Sequence, residues 1–163
     1  MSPETVSVEL LQSIPLFHDA PPAHLDVLAR ISQIRSFKEN HEIFHEGDAQ
    51  DYLYVVLEGR VALEIHIPNR GRLRILTVEP LDVLGWSSIT DAVRKRTATA
   101  RTVTPAKLLA ISAEDLQKAC TDDCQLGYLI MTHVANVIAN RLIITRMQLL
   151  DMFATPPSEA SHG

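Results

Sequence analysis

The chain has 163 residues, 46% hydrophobic and 21% charged, a composition that fits one globular domain burying about two-thirds of its unfolded surface. A net charge of −5 excludes a broad nucleic-acid surface, which needs clustered positive charge. Two cysteines, Cys120 and Cys124, exclude a disulfide framework. The start at Met1 lacks the basic-then-apolar pattern of a signal peptide, so the expected compartment is the cytoplasm.

In chain order, Val8–Ile14 is expected as a short helix ended before Pro15. Pro21–Pro22 then leads into a helix over Ala23–Ile31, with Leu25, Leu28, Ala29 and Ile31 at helical spacing. After Ser32 the period shortens, and Ile34 and Phe37 open a strand-rich region. Glu42–Glu46 is a short strand before the turn Gly47–Asp48, and Asp51–Leu57 is a strongly apolar strand. Val61, Leu63, Ile65 and Ile67 alternate with Ala62, Glu64 and His66, the clearest half-buried strand in the chain. Pro68–Gly71 signals a hairpin turn, and Leu73–Val78, Asp82–Leu84, Thr97–Thr102 and Ala106–Ser112 complete the strands. Many short strands at spacings of about 8–12 residues predict an antiparallel roll of jelly-roll type.

Ser112 is placed to cap a short helix, Glu114–Ala119. Cys120 and Cys124 would share a face if both lay on one helix. The last helix should run from about Cys124 to Phe153, with a stripe including Ile130, Val134, Val137, Ile138, Leu142, Thr145, Leu149 and Met152. At roughly 1.5 Å per residue it spans about 40 Å, more than a small domain needs for itself. Such a helix commonly packs on its own copy. Its polar members, among them His133, Asn136, Asn140 and Arg141, argue against a membrane span. The expected organisation is one mostly-β domain with flanking helices over residues 8–153 and a disordered tail, Ala154–Gly163.

The segment Val83–Arg101 has the layout of an anion-binding loop. Gly85 permits close backbone approach, Ser87, Ser88 and Thr97 offer hydroxyls, and Arg96 offers a planar, always-charged fork suited to phosphate. Neither GxxxxGK[ST] nor GxGxxG occurs, which excludes a triphosphate loop and a dinucleotide fingerprint.

Taken in order, these landmarks resemble the cyclic nucleotide-binding domain of Crp/Fnr-type regulators, kinase regulatory subunits and gated channels. LLQSIPLF at Leu10–Phe17 resembles the family's entry helix. IFHEGDAQDYLYVVLEGRVAL at Ile43–Leu63 resembles its first strand-turn-strand block, and Arg96–Thr97–Ala98–Thr99 resembles the end of its phosphate-binding cassette. The resemblance implies a non-enzymatic sensor with a double-stranded β-helix (jelly-roll) fold and a long C-terminal helix. Its ligand would be cyclic AMP or cyclic GMP, with no other cofactor and no metal. Arg96 would meet the cyclic phosphate and Thr97 would add a backbone N–H and a hydroxyl beside Ala98. Gly85, Trp86, Ser87 and Ser88 would approach the ribose and phosphate, and Thr145 would sit at the base or a dimer seam. It also implies a homodimer through the last helix and a protein effector. The regulators' DNA-reading helix-turn-helix has no counterpart here, so no direct DNA binding is expected.

One position departs from the family. Where the motif has a glutamate accepting from the ribose 2′-hydroxyl, this chain has Trp86, whose side chain has a donor and no acceptor. An unpaired hydroxyl there costs about 1–3 kcal/mol, roughly one to two decades of affinity. The indole could instead cover the ligand, fill the pocket or serve as core. Two other readings follow: a degenerate roll acting as a dimerisation scaffold, and a metal-dependent roll enzyme using His41, His45, Glu42 and Glu46. Cys120 and Cys124 with His133 are a further metal alternative.

Overall fold

The computed structural model describes residues 4–154. Helix α1 (Val8–Gln12) begins at Ser7, whose side chain accepts from the Leu10 N–H, and α2 (Pro22–Arg30) starts with proline in its first turn, where the missing N–H has no intrahelical role. Eight strands follow: β1 (Ser32–Phe37), β2 (Glu42–Phe44), β3 (Tyr52–Glu58), β4 (Val61–Ile67), β5 (Gly71–Val78), β6 (Val83–Leu84), β7 (Thr99–Thr102) and β8 (Ala106–Ser112). They form two antiparallel four-stranded sheets, ordered β1-β8-β3-β6 and β2-β7-β4-β5, the jelly-roll-like arrangement expected from the sequence. Helices α3 (Ala113–Asp122) and α4 (Cys124–Ala154) close the chain.

The apolar run of β3 has a simple cause. Side chains alternate across a strand, and both faces of β3 are covered. Leu53 and Val55 join a cluster with Leu11, Phe17, Leu25, Leu116 and Ile130 beneath the helices. Tyr54 and Val56 join a second cluster between the sheets, with Val61, Val78, Ala100 and Leu108. The roll therefore has a separate interior.

Several boundaries differ from expectation because backbone groups are engaged elsewhere. Strand β2 stops at Phe44, since the His45 N–H donates to Asp48 Oδ2 at 2.8 Å and the Asp48 N–H returns to the His45 carbonyl at 3.1 Å. Strand β7 starts at Thr99 rather than Thr97, because Arg96 exchanges backbone bonds with that turn. Its N–H donates to the Asp48 carbonyl at 3.0 Å and its carbonyl accepts from Gly47 at 2.8 Å. Cys120 and Cys124 do not share a helix. Asp123 leaves helical geometry between them and caps α4, its Oδ1 accepting from Gln125 and Leu126 N–H groups. Helix α4 includes Ala154; the rest of the expected disordered tail lies outside the described residues.

The buried residues of α4 are Leu126, Ile130 and Val134. Farther along, Arg141 Nη2 donates to the Val83 carbonyl at 2.7 Å and Gln148 Nε2 to the Ile75 carbonyl at 2.9 Å. By length and composition alone α4 would suffice to cross a bilayer, but these two bonds and the buried Leu126, Ile130 and Val134 tie it to the rest of the domain.

Candidate functional site

The segment after β6 is shaped by Gly85, whose φ of 74° lies in the left-handed region and leads into a 3-10 turn over Trp86–Ile89. A Cβ at Gly85 would stand 2.5 Å from Arg96 Nη1 and 3.1 Å from the Tyr52 carbonyl, so glycine is required both by conformation and by the approach of the arginine.

Arg94 and Lys95 are exposed, while Arg96 is only 4% exposed. Its Nη2 donates to the Tyr52 carbonyl at 2.6 Å and its Nη1 to the Gly85 carbonyl at 3.3 Å. The guanidinium carbon lies 4.1 Å from the Phe44 ring centroid and 6.0 Å from that of Tyr54. Arg96 Nε is buried without a hydrogen-bond partner. Burial lowers the arginine's pKa, opposed by Tyr54, Asp51 and Asp48, and burial raises that of Tyr54. Guanidinium remains charged throughout the physiological range, so the roll interior holds a cation with one donor unmatched.

The other expected residues divide around this centre. Ser87 and Ser88 are buried. Ser87 Oγ bonds the Gln50 side chain, whose Nε2 donates to the Val93 carbonyl at 2.7 Å, so Ser87 braces the loop. Ser88 Oγ is buried without a partner, and its carbonyl accepts from Gln117 Nε2 on α3 at 3.0 Å. Neither serine caps a helix. Thr97 is exposed and Ala98 is buried. Trp86 is half-buried and packs against the cluster beneath the helices, not with the Phe44 and Tyr54 rings. Thr145 lies on α4, exposed, with its hydroxyl bonded to the Arg141 carbonyl of its own helix at 2.8 Å. It falls between Arg141 and Gln148 on one face, and both neighbours touch the roll.

Sequence reasoning missed Phe44, Tyr52, Gln50, Arg141 and Gln148. Phe44 and Tyr52 stand inside the block Ile43–Leu63 already singled out, but their convergence on Arg96 comes from pairing of distant strands. Arg141 and Gln148 sit at the spacing of one helical stripe with Thr145, a pattern visible in the sequence.

The metal alternatives fare differently from the cassette. Glu42 is engaged by Arg101 and lies 3.5 Å from Arg72 Nη2, and His45 Nδ1 is 2.9 Å from the Glu46 carbonyl. Cys120 is half-buried, its thiol pKa raised by burial and by Asp123.

The profile of the cyclic nucleotide-binding domain family matches residues 34–123. The chain belongs to this family. It is 28% identical over 148 residues to a CRP-like cAMP-activated global transcriptional regulator of Mycobacterium tuberculosis, covering 90% of this chain and 63% of that protein. It is 32% identical over 106 residues to a cyclic AMP receptor protein of Thermus thermophilus, covering 64% of this chain and 48% of that one. The chain thus spans less than two-thirds of the length of either relative. A solved cyclic nucleotide-binding domain from Methylobacillus flagellatus superposes with a TM-score of 0.77 at 23% identity, covering 93% of this chain and 84% of that one, a likeness of fold. As a sensor domain of Crp/Fnr type the cyclic nucleotide-binding domain is regulatory and non-enzymatic.

Proposed function

We propose that this cyclic nucleotide-binding domain is a cytoplasmic sensor that binds cyclic AMP or cyclic GMP in the roll. Arg96 faces the cyclic phosphate, and the bound state is passed on through α4. The observation that carries this is the guanidinium buried against the Phe44 ring, with Nε unmatched and Nη1 holding only a 3.3 Å bond. A buried cation with free donors is costly in isolation and is relieved by an anion. Nη2, bonded to Tyr52 at 2.6 Å, orients the fork; Nε and Nη1 are the donors available to a phosphodiester. The Ser88 hydroxyl, also unmatched, and the exposed Thr97 hydroxyl supply further donors. Gly85, Trp86, Ser87 and Ala98 shape the loop, with Trp86 standing outside the Phe44–Tyr54 cluster.

The route outward runs through β6. Arg96 holds the carbonyl of Gly85 and Arg141 holds that of Val83. A ligand that draws Arg96 Nη1 away from Gly85 therefore acts on the strand that Arg141 grips from α4, and Thr145 lies beside that grip. On the opposite face of α4, Ile143, Met147 and Leu150 are 57%, 57% and 61% exposed at alternating spacings of four and three, the seam of a coiled coil. That face fits a second copy of the chain, and a protein effector would read the pair.

Calorimetry with cyclic AMP and cyclic GMP tests the reading. Heat of binding in the parent chain, lost in Arg96→Lys and weakened in Thr97→Ala, is the expected result. A folded parent chain that gives no heat with either nucleotide overturns it. The scaffold reading, favoured by Trp86 in the glutamate's place and by the exposed α4 seam, then takes over.

A further inference from the structure

We propose that His18, Asp19 and His133 form a binding site for a divalent first-row transition ion, zinc in particular, that clasps α4 to the loop between α1 and α2. His18 Nδ1 lies 2.9 Å from the Pro15 carbonyl. A carbonyl only accepts, so this nitrogen carries the proton, and the Nε2 of the neutral ring presents its lone pair. That Nε2 stands 3.0 Å from Asp19 Oδ1. At this distance the imidazole nitrogen and the carboxylate oxygen share a positive partner, either a proton or a bound metal ion. His133 enters from α4, its ring 6.2 Å from that of His18 at an interplanar angle of 66°. The three residues each offer a ligand atom, and those atoms all lie within 4.8 Å of one another. Two imidazoles and a carboxylate suit zinc and its neighbours rather than magnesium or calcium, and three protein ligands leave a position for water. The bond from His18 Nδ1 to a backbone carbonyl is the outer support such ligands use.

The place matters as much as the chemistry. His133 precedes Val134, the last buried residue of α4, and borders an open cavity of about 220 Å³ shared with Pro15, Leu16 and Asp82. An ion reaches the site from solvent, and once bound it fixes the turn at which α4 passes from packed to exposed. The site stands apart from Arg96 and does not depend on the nucleotide reading.

The experiment uses the full chain without nucleotide. Cobalt(II) is the probe, read by its visible absorption and then displaced by zinc. The expected result is one ion per chain, with Asp19→Asn, His18→Ala and His133→Ala each weakening uptake by about a hundredfold or more. Zinc should also slow amide exchange around residues 130–136. Asp19→Asn lies on an exposed loop, and its unchanged melting without metal separates lost ligation from lost folding. No uptake, or uptake that survives all three substitutions, overturns the site and leaves His18–Asp19 as an imidazolium–carboxylate pair.

Discussion

Arg96 and Arg141 reach the same short strand from two regions of the molecule. Both have their pKa lowered by burial, and both donate to carbonyls at β6, that of Gly85 just after it for one and that of Val83 within it for the other. Arg96 lies between the sheets, stacked on Phe44, with an unmatched Nε. Arg141 reaches out from α4, held by one 2.7 Å bond and favoured electrostatically by Asp82. The difference separates a buried cation with a spare donor from a single tether on a mostly exposed helix segment. Buried charge with spare donors attracts a partner, whereas a single side-chain bond from a mostly exposed helix segment can open at small expense.

That contrast is sharpest in stability. Arg96→Ala removes two carbonyl partners and an aromatic stack at once, and should lower the urea-unfolding free energy by roughly 2–4 kcal/mol. Gly85→Ala acts on the same centre through the backbone. Left-handed φ and the 2.5 Å clash with Nη1 should remove about 1–3 kcal/mol and weaken any nucleotide binding. Arg141→Ala should cost about 1 kcal/mol. Its signature is local: amides of α4 beyond Val134 exchange faster while those of β3 and β8 keep their relative protection. If Arg141→Ala destabilises the roll as much as Arg96→Ala does, the division between the two regions fails.

The smaller effects test the outer end of α4 and its base. Gln148→Ala should change global stability by no more than about 0.5 kcal/mol and speed exchange only near the end of the helix. At the base, Asp123 has its pKa lowered by the Leu126 N–H, by the His24 side chain and by the Gln125 N–H. A carboxyl depressed in the folded state binds more protons when unfolded. Its contribution is therefore present above the ordinary aspartate range and is lost as pH falls through the lower folded value. Asp123→Asn should flatten that acid limb slightly, read by thermal melts across pH 2–5 (about the range set by ordinary carboxyl values).

Much of this architecture is legible in the chain. The alternation in Val61–Ile67, the turn at Pro68–Gly71 and the glycines of the loops report local preferences that the fold respects, because strand and turn preferences act over a few residues. Strand ends were less legible. The extra residues assigned to β2 and β7 flank the place where the backbones of Gly47 and Asp48 bond that of Arg96, a pairing of segments far apart in sequence. The break between the helices of Cys120 and Cys124 was legible, since Asp122–Asp123 ahead of Cys124 suits the positive end of the last helix; the structure adds that the Asp123 side chain caps it.

Residue types alone determined that a roll exists, that a loop with Gly85, two serines and Arg96 could meet an anion, and that a long helix follows. Tertiary structure decided which way those groups face: Arg96 inward against Phe44 and Tyr52, Trp86 toward the helices, and Arg141 with Gln148 onto the roll. Type and spacing are local properties, but facing depends on which distant surfaces bury each side chain, and burial is set by the assembled sheets and helices together.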